Sequence, residues 1–435
     1  MSSHARLLQD VDALDVTAAR ACMNDGRLTA SSLVAACLAR IASRDPLIGA
    51  WAHVAGDAAR QRAAALDRVT DRGLLHGVPV GVKDVLDTFD MPTAHGSALY
   101  RGDVPARDAA CVAALRGAGA VILGKTTTTE FASPIAVGVR NPRDPTRTAG
   151  VSSSGSAAAV ADGHVPVALG TQTGGSVIRP ASYCGIVGYK ADIDAFDRGG
   201  IRHVRPSLDA LGVFARGVDD IALVRRALGA RGDDAGFAAR DGAPRLALCR
   251  TPEWQRADPT TRDAIEGAVA RLRDAGATFS EIILPAPFEH ALAAFDTIVV
   301  RESAVAMANE LAGAGAALND WLRGVAAKAR SITDADVRDA QRVAAQCRAR
   351  LANVFDDCDA IVTPAASGEA PAELRGAADA AFTPLWTLVQ GPCVSLPVLA
   401  GPNGLPVGLQ VVGARGADAA LLATSAWIVD ALRCP

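Results

Sequence analysis

The chain has 435 residues, 50% of them hydrophobic and 21% charged, with a formal net charge of -3. That balance describes a globular chain with enough apolar mass to bury a large core. It excludes a disordered polyelectrolyte, a collagen-like repeat and a basic nucleic-acid binder. Only four of the 44 basic residues are lysine, namely Lys83, Lys125, Lys190 and Lys328; the other 40 are arginine. Arginine fills almost any exposed charge role but stays protonated near neutral pH, whereas a buried lysine can lose its proton. Each lysine is therefore either a leftover of a biased composition or a residue in a role closed to arginine.

In chain order, MSSHARLLQDVDALD (1–15) carries no charged-then-apolar leader, and no run of about 18 apolar residues follows it anywhere. A cytoplasmic protein without a membrane span is expected. Residues 10–70 read as helices. In LTASSLVAACLARIASR (28–44), Leu33, Ala36, Cys37, Leu38 and Ile41 share one face and Thr29 or Ser31 caps the start. Valine-rich alternation with Gly/Pro punctuation in GLLHGVPVGVKDVLDT (73–88) indicates strand and turn. DAACVAALRGAGAVILGKT (108–126) reads as helix, glycine stop and buried strand. TAGVSSSGSAAAVADG (148–163) is a small-residue loop feeding an alanine helix. Residues 165–190 run strand, glycine turn and a further apolar run. A Gly/Ala/Asp-rich stretch near 226–244 reads as a linker. Strands at 246–250, 281–285 and 360–364 then alternate with long helices, and GLPVGLQVVG (404–413) precedes a final helix. Strands and helices interleave throughout, which is an α/β pattern. The nine scattered cysteines, odd in number and without C-x-x-C, read as reduced thiols in a core. The seven histidines show no zinc spacing, so no metal is expected.

Gly119-Ala-Val-Ile-Leu-Gly124-Lys125-Thr126 matches the phosphate-loop pattern letter for letter. That motif needs a glycine-rich loop between a strand and a helix. Here the central residues are strand formers and a helix precedes them, so a strand ending in Gly-Lys-Thr is the better reading.

Unusual chemistry concentrates in Ser152-Ser153-Ser154-Gly155-Ser156 and in Thr173-Gly174-Gly175-Ser176. A serine just after two glycines presents its Oγ on a backbone free to aim several N–H groups at one point, as acyl transfer requires. Such a hydroxyl needs a base. The one nearby histidine, His164, starts a strand twelve positions before Ser176, and no G-x-S-x-G elbow is present. Lys83, among small apolar neighbours in Val80-Gly81-Val82-Lys83-Asp84, is the best base candidate, because desolvation favours the neutral amine. Taken singly, the serines also read as helix caps and the glycines as a plain turn.

GVSSSGSAAAVADG (150–163) followed by GTQTGGSVIRPASYCGIVGYK (170–190) resembles the serine-rich signature of the amidase signature family. VPVGVKD (78–84) resembles its lysine motif, RPSLDALGVFAR (205–216) a downstream segment, and GLPVGLQVVG its C-terminal hairpin. The resemblance spans roughly residues 20–432, with 69 residues from Lys83 to Ser152 and 24 from there to Ser176. Within the family it is most similar to the short bacterial malonamidase-type enzymes. It implies a single α/β domain with a mixed, twisted central sheet covered by helices on both faces. In that domain, residues 1–72 form an N-terminal helical region, 73–225 the catalytic core and 245–435 a half that shapes the substrate pocket.

The resemblance also implies a Ser–cis-Ser–Lys triad. Ser176 attacks the amide carbonyl, Ser152 relays the proton through a cis peptide, and neutral Lys83 accepts it. Backbone N–H groups of Thr173, Gly174, Gly175 and Ser176 form the oxyanion hole, and Ser153 hydrogen-bonds the triad. The expected activity is hydrolysis of a small carboxamide to carboxylate and ammonia, with no metal or organic cofactor and no nucleic-acid or membrane partner. A homodimer is the assembly kept open. The alternatives are the glutaminase subunit of an amidotransferase and a silent family member retained as a binding protein.

Three departures stand out. Val151 replaces the usual glycine before Ser152, and Gln172 replaces an aspartate common in relatives, removing a buried carboxylate–arginine pair. Arg179 stands three residues after Ser176, where it either binds a substrate carboxylate or ties down a loop. Lys125 and Lys190 are expected in structural roles at strand ends, Glu130 and Asp209 in ordering loops, and Lys328 at the surface. Trp386 and Cys393 are expected to wall the pocket.

Overall fold

The computed structural model describes residues 14–70, 72–230, 240–377 and 379–433. The segment before residue 14 and the middle of the expected linker lie outside those residues.

Among the described residues thirteen strands alternate with helices: β1 Trp51–Val54, β2 Pro79–Lys83, β3 Val121–Thr126, β4 Arg140–Asn141, β5 Asp144–Thr148, β6 Val167–Gln172, β7 Val187–Lys190, β8 Ala210–Ala215, β9 Arg245–Cys249, β10 Thr278–Ile282, β11 Ala360–Pro364, β12 Cys393–Ala400 and β13 Pro406–Val412. Eleven of them form one sheet in the order β1-β3-β2-β6-β8-β7-β12-β13-β11-β9-β10, and β4 pairs with β5 apart from it. The pairs β2/β3, β2/β6, β9/β10 and β9/β11 are parallel and the rest antiparallel, so the sheet is mixed. Strands from both sides of residues 231–239 share it, which makes the fold a single α/β domain. No helix among the described residues is long and apolar enough to cross a membrane.

Sequence explains the layering. Every residue of β2, β3, β6 and β8 is buried, and these strands are near-continuous apolar runs of the kind that parallel, helix-covered sheets require. The helix Ala30–Ile48 starts where the capping pattern placed it, with Thr29 Oγ1 accepting from Ser32 N at 3.0 Å. The helix Ser154–Ala161 has no polar face to show, and residues 154–160 are all buried. Its small side chains let it lie close to β6, where Ser156 Oγ donates to Leu169 O at 2.8 Å.

Two elements differ from the sequence reading. The apolar run after Ser176 is a helix, Ile178–Cys184, ended by Gly185 in the left-handed region. Pro180 disguised it; proline is tolerated in a first turn, where its missing N–H has no intrahelical acceptor anyway. The strand expected at 281–285 is β10, displaced to Thr278–Ile282. Its register is set by parallel pairing from Thr278 opposite Arg245 to Ile282 opposite Cys249, which leaves Ile283 exposed. All eight described cysteines are free and buried.

The phosphate-loop look-alike is interior strand. Lys125 is fully buried on β3, donates to Leu86 O at 2.8 Å and to Thr93 Oγ1, and lies 3.5 Å from Asp84. Burial pushes its ammonium down to about 8, against the pull of Asp84. Replacing Lys125 by Met strands the Asp84 carboxylate and should cost about 3–5 kcal/mol of stability in denaturant unfolding. Lys328→Met, at an exposed position of the helix Asp320–Ala329, should stay within about 0.5 kcal/mol of the parent. Equal stability of the two variants would contradict the structural role of Lys125.

Candidate active site

The site forms where β2 and β6, parallel neighbours in register from Val80 opposite Val167 to Val82 opposite Leu169, reach their C-terminal ends. Ligands in open α/β sheets collect at such carboxyl ends, because the following loops splay there. Lys83 is the last residue of β2. The end of β6 leads directly into Thr173-Gly174-Gly175-Ser176.

Lys83 is wholly buried. Its Nζ lies 2.8 Å from Ser152 Oγ, 2.8 Å from Thr171 Oγ1 and 3.4 Å from Thr171 O. Desolvation pushes the amine down to about 7; Asp209 opposes that shift and the Arg205 cation assists it. Ser153 Oγ donates to Thr171 O at 3.0 Å and accepts from Thr171 N at 3.3 Å, so it fixes the residue that fixes Lys83.

The Val151–Ser152 peptide is cis. Positive φ falls on Gly150 at 92° and not on Val151, so the valine departure needs no left-handed backbone. A Cβ on residue 150 would also stand 3.0 Å from Pro180 Cα.

The glycine turn is held from outside. Thr173 Oγ1 hydrogen-bonds Asp209 Oδ1, and Thr383 Oγ1 donates to Gly174 O at 2.7 Å. Gly175 has φ 134°, and a Cβ there would meet Thr383 Oγ1 at 2.4 Å. Only glycine fits. The backbone N–H groups of Thr173, Gly174, Gly175 and Ser176 find no acceptor among the described residues. Successive unclaimed N–H groups on a turn are the raw material of an anion-binding concavity. Gln172 makes up for the missing aspartate, its Oε1 accepting from Val177 N and Ile178 N at 3.0 Å each and its Nε2 donating to Thr387 Oγ1 at 3.3 Å.

Ser176 is nearly buried and its Oγ makes no hydrogen bond with the described residues. It lines a cavity of about 230 Å³ together with Thr173, Gly174, Arg205, Phe295 and Trp321. Ser152 is therefore bonded to Lys83, while Ser176 awaits a partner; catalytic hydrogen bonds often close only around substrate.

Arg179 also borders the cavity, but its outer nitrogens are engaged, Nη1 with Asp379 O at 2.6 Å and Nη2 with Val151 O at 3.0 Å. Trp386 and Cys393 are not where the sequence reading put them. Both are completely buried in a core cluster of the C-terminal half, and neither lines this cavity. The short helix Pro384–Leu388 is buried along its length, so the indole faces core and the residue before the helix, Thr383, faces the site. Trp321 is the indole at the cavity wall. Thr171, Thr383, Arg205 and Trp321 went unremarked in the sequence, although Thr171 and Arg205 lie inside the matched motifs.

The chain matches the amidase family model over residues 32–422. It is 35% identical to a glutamyl-tRNA(Gln) amidotransferase component from Symbiobacterium thermophilum, over 91% of this chain and 92% of that one. The crystal structure of an amidase shares 30% identity with a TM-score of 0.88, covering 96% of this chain and 99% of its own. The peptide amidase of Stenotrophomonas maltophilia shares 29% identity with a TM-score of 0.82, covering 96% and 97%. The chain belongs to the amidase signature family. It is a hydrolase acting on C–N amide bonds.

With only four lysines in the chain, labelling at lysine ¹³Cε gives four signals to follow, and Lys83→Met assigns one of them. One signal should titrate with a midpoint of about 7 and be missing from Lys83→Met. Midpoints above pH 9 for all four would contradict the dry environment described for Lys83.

Proposed function

We propose that this chain hydrolyses a small carboxamide to carboxylate and ammonia through a Ser176 acyl-enzyme, with Ser152 and Lys83 completing the triad. The observation that carries the reading is the Lys83–Ser152 contact of 2.8 Å at a lysine pushed down to about 7, beside a glycine turn with four unclaimed N–H groups. A neutral amine keeps one lone pair. With Thr171 receiving its hydrogens, that lone pair is free to accept the Ser152 proton.

Ser176 Oγ attacks the carbonyl carbon while its proton passes to Ser152 and the Ser152 proton to Lys83. The oxyanion lies on the N–H groups of Thr173, Gly174, Gly175 and Ser176. The proton returns along the same path to the leaving nitrogen, the C–N bond breaks and ammonia departs. Water then attacks the ester, restoring Ser176 and releasing the acid. Arg179 acts here as a brace, holding the Val151 carbonyl directly before Ser152.

A second reading has the support of relatives such as the Symbiobacterium protein: a glutaminase component that works beside other subunits. Gln172, at a position where many relatives carry aspartate, favours a stand-alone enzyme. Ammonia release confined to glutamine, together with co-purification of a second protein component, would decide for the glutaminase.

An ammonia-release screen over small aliphatic and aryl amides should find activity that Ser176→Ala and Lys83→Arg each lower by about 10⁴-fold or more in kcat. Because protonated Lys83 cannot take a proton, kcat/KM should climb as pH rises through about 7 and level off above it. Full activity in Lys83→Arg, or a rate as high at pH 5 as at pH 8, would sink the triad.

A further inference from the structure

We propose that Asp296 binds an ammonium group of the substrate, so that the amides taken are short amino amides. The proposal rests on the amidohydrolase reading and adds the substrate class.

Asp296 borders the same cavity as Ser176. It lies on the helix Ala291–Ala306, where Phe295 and Val299, one turn apart, line that cavity and Asp296 flanks them, three residues before Val299. Ala291, Ala294, Phe295, Ile298 and Val299 are buried, whereas Asp296 is exposed. The helix therefore turns its apolar residues inward and sets Asp296 at the edge of that face, where cavity meets solvent. Phe295 ties this stretch to the nucleophile turn: a Cβ on Gly174 would stand 3.7 Å from Phe295 Cζ.

The Asp296 carboxylate makes no hydrogen bond and no ion pair with the described residues. Burial pushes its carboxyl above the usual carboxylate range, and Lys328 pulls the other way. Lys328 is exposed on the helix Asp320–Ala329, seven residues beyond Trp321, which is about 10 Å of axial rise from the cavity wall. A partly desolvated carboxylate without a donor of its own is costly, and a substrate ammonium brings both the counter-charge and three N–H donors.

The other charges on the cavity are already answered. Asp209 and Glu302 oppose the effect of burial on the Arg205 guanidinium, whose Nε donates to Ser303 Oγ at 2.8 Å and whose carbon sits 5.4 Å from the centre of the Trp321 ring. Ser303 follows Asp296 by seven residues on one helix, again about 10 Å of rise, and no ion pair joins Arg205 to Asp296. Arg179 spends both outer nitrogens on main-chain carbonyls. Asp296 is thus the cavity charge left for a ligand.

A cationic substrate also suits the proton transfer. Positive charge bound in the cavity favours the neutral form of Lys83, which must accept a proton, whereas a bound anion would draw a proton onto it. A cavity of about 230 Å³ limits the spacer between amide and amine to a few carbons.

The test compares β-alaninamide, 4-aminobutanamide and 5-aminopentanamide with the neutral alkyl amides of equal length. Wild-type enzyme should prefer at least one amino amide over its neutral counterpart by about 10-fold in kcat/KM, mainly through KM. Asp296→Asn should collapse that ratio towards one, and Asp296→Glu should restore part of it. A wild-type enzyme that hydrolyses the neutral amides as well as the amino amides overturns the ammonium site and leaves the amidase reading intact. A ratio that survives in folded Asp296→Asn also overturns it. If no amide in the set is turned over, the functional reading fails instead, and calorimetric titration of 4-aminobutanamide into Ser176→Ala decides the site. Binding abolished by adding Asp296→Asn then supports it; no binding, or binding unchanged by Asp296→Asn, overturns it.

Discussion

The site depends on keeping one amine dry. The drop of Lys83 from about 10.5 to about 7 amounts to roughly 5 kcal/mol of preference for the neutral form. That preference comes from position. Lys83 ends a central strand with β3 and β6 on either side, and the small-residue helix Ser154–Ala161 packs over β6, its inward Ser156 hydroxyl bonded to Leu169 O. Asp209 pulls the amine back towards the charged form and Arg205 pushes it away. Two buried charges of opposite sign, held by the same short segment, thereby set how far desolvation prevails.

The lysine count acquires a physical meaning from this. Lys83, Lys125 and Lys190 are all buried, and Lys328 is exposed. An ammonium on a thin stem fits a narrow channel and is satisfied by a few oxygens. Lys125 has Leu86 O, Thr93 Oγ1 and Asp84, and Lys190 has Ala191 O at 2.9 Å. A guanidinium would need more room and up to five acceptors in a fixed fork. Three of the four lysines thus sit where a guanidinium would have to find more acceptors than the channel offers.

What could be read from sequence was local. The β2 lysine, the serine loop and the glycine turn each announce themselves in a few residues; the interleaving of strands and helices gave the α/β class, and the family resemblance those motifs carry implied the single domain. The cavity wall was not legible, because it depends on which face of a distant helix is turned inward. Trp321 and Trp386 are equally plausible walls as letters. The burial of Pro384–Leu388 puts one indole in the core, and the helix Asp320–Ala329 brings the other under Arg205. Thr383 was equally silent. Its hydroxyl holds the Gly174 carbonyl across 209 positions of chain, a contact no local pattern encodes.

The two cavity arginines show how one residue type divides its work when the interior is dry. Arg179 follows the nucleophile turn and spends its outer nitrogens on Asp379 O and Val151 O, tying the C-terminal half to the backbone before Ser152. Gln172 is occupied elsewhere, its Oε1 accepting from Val177 N and Ile178 N. Asp209 meanwhile serves the turn through Thr173 and fixes the backbone of Arg205. Asp296 on the cavity wall and Glu302 near Arg205 add carboxylates to the two arginines, so the charges around the cavity are mixed in sign. Desolvation remains what keeps Lys83 unprotonated, with Asp209 and Arg205 acting on it in opposite directions.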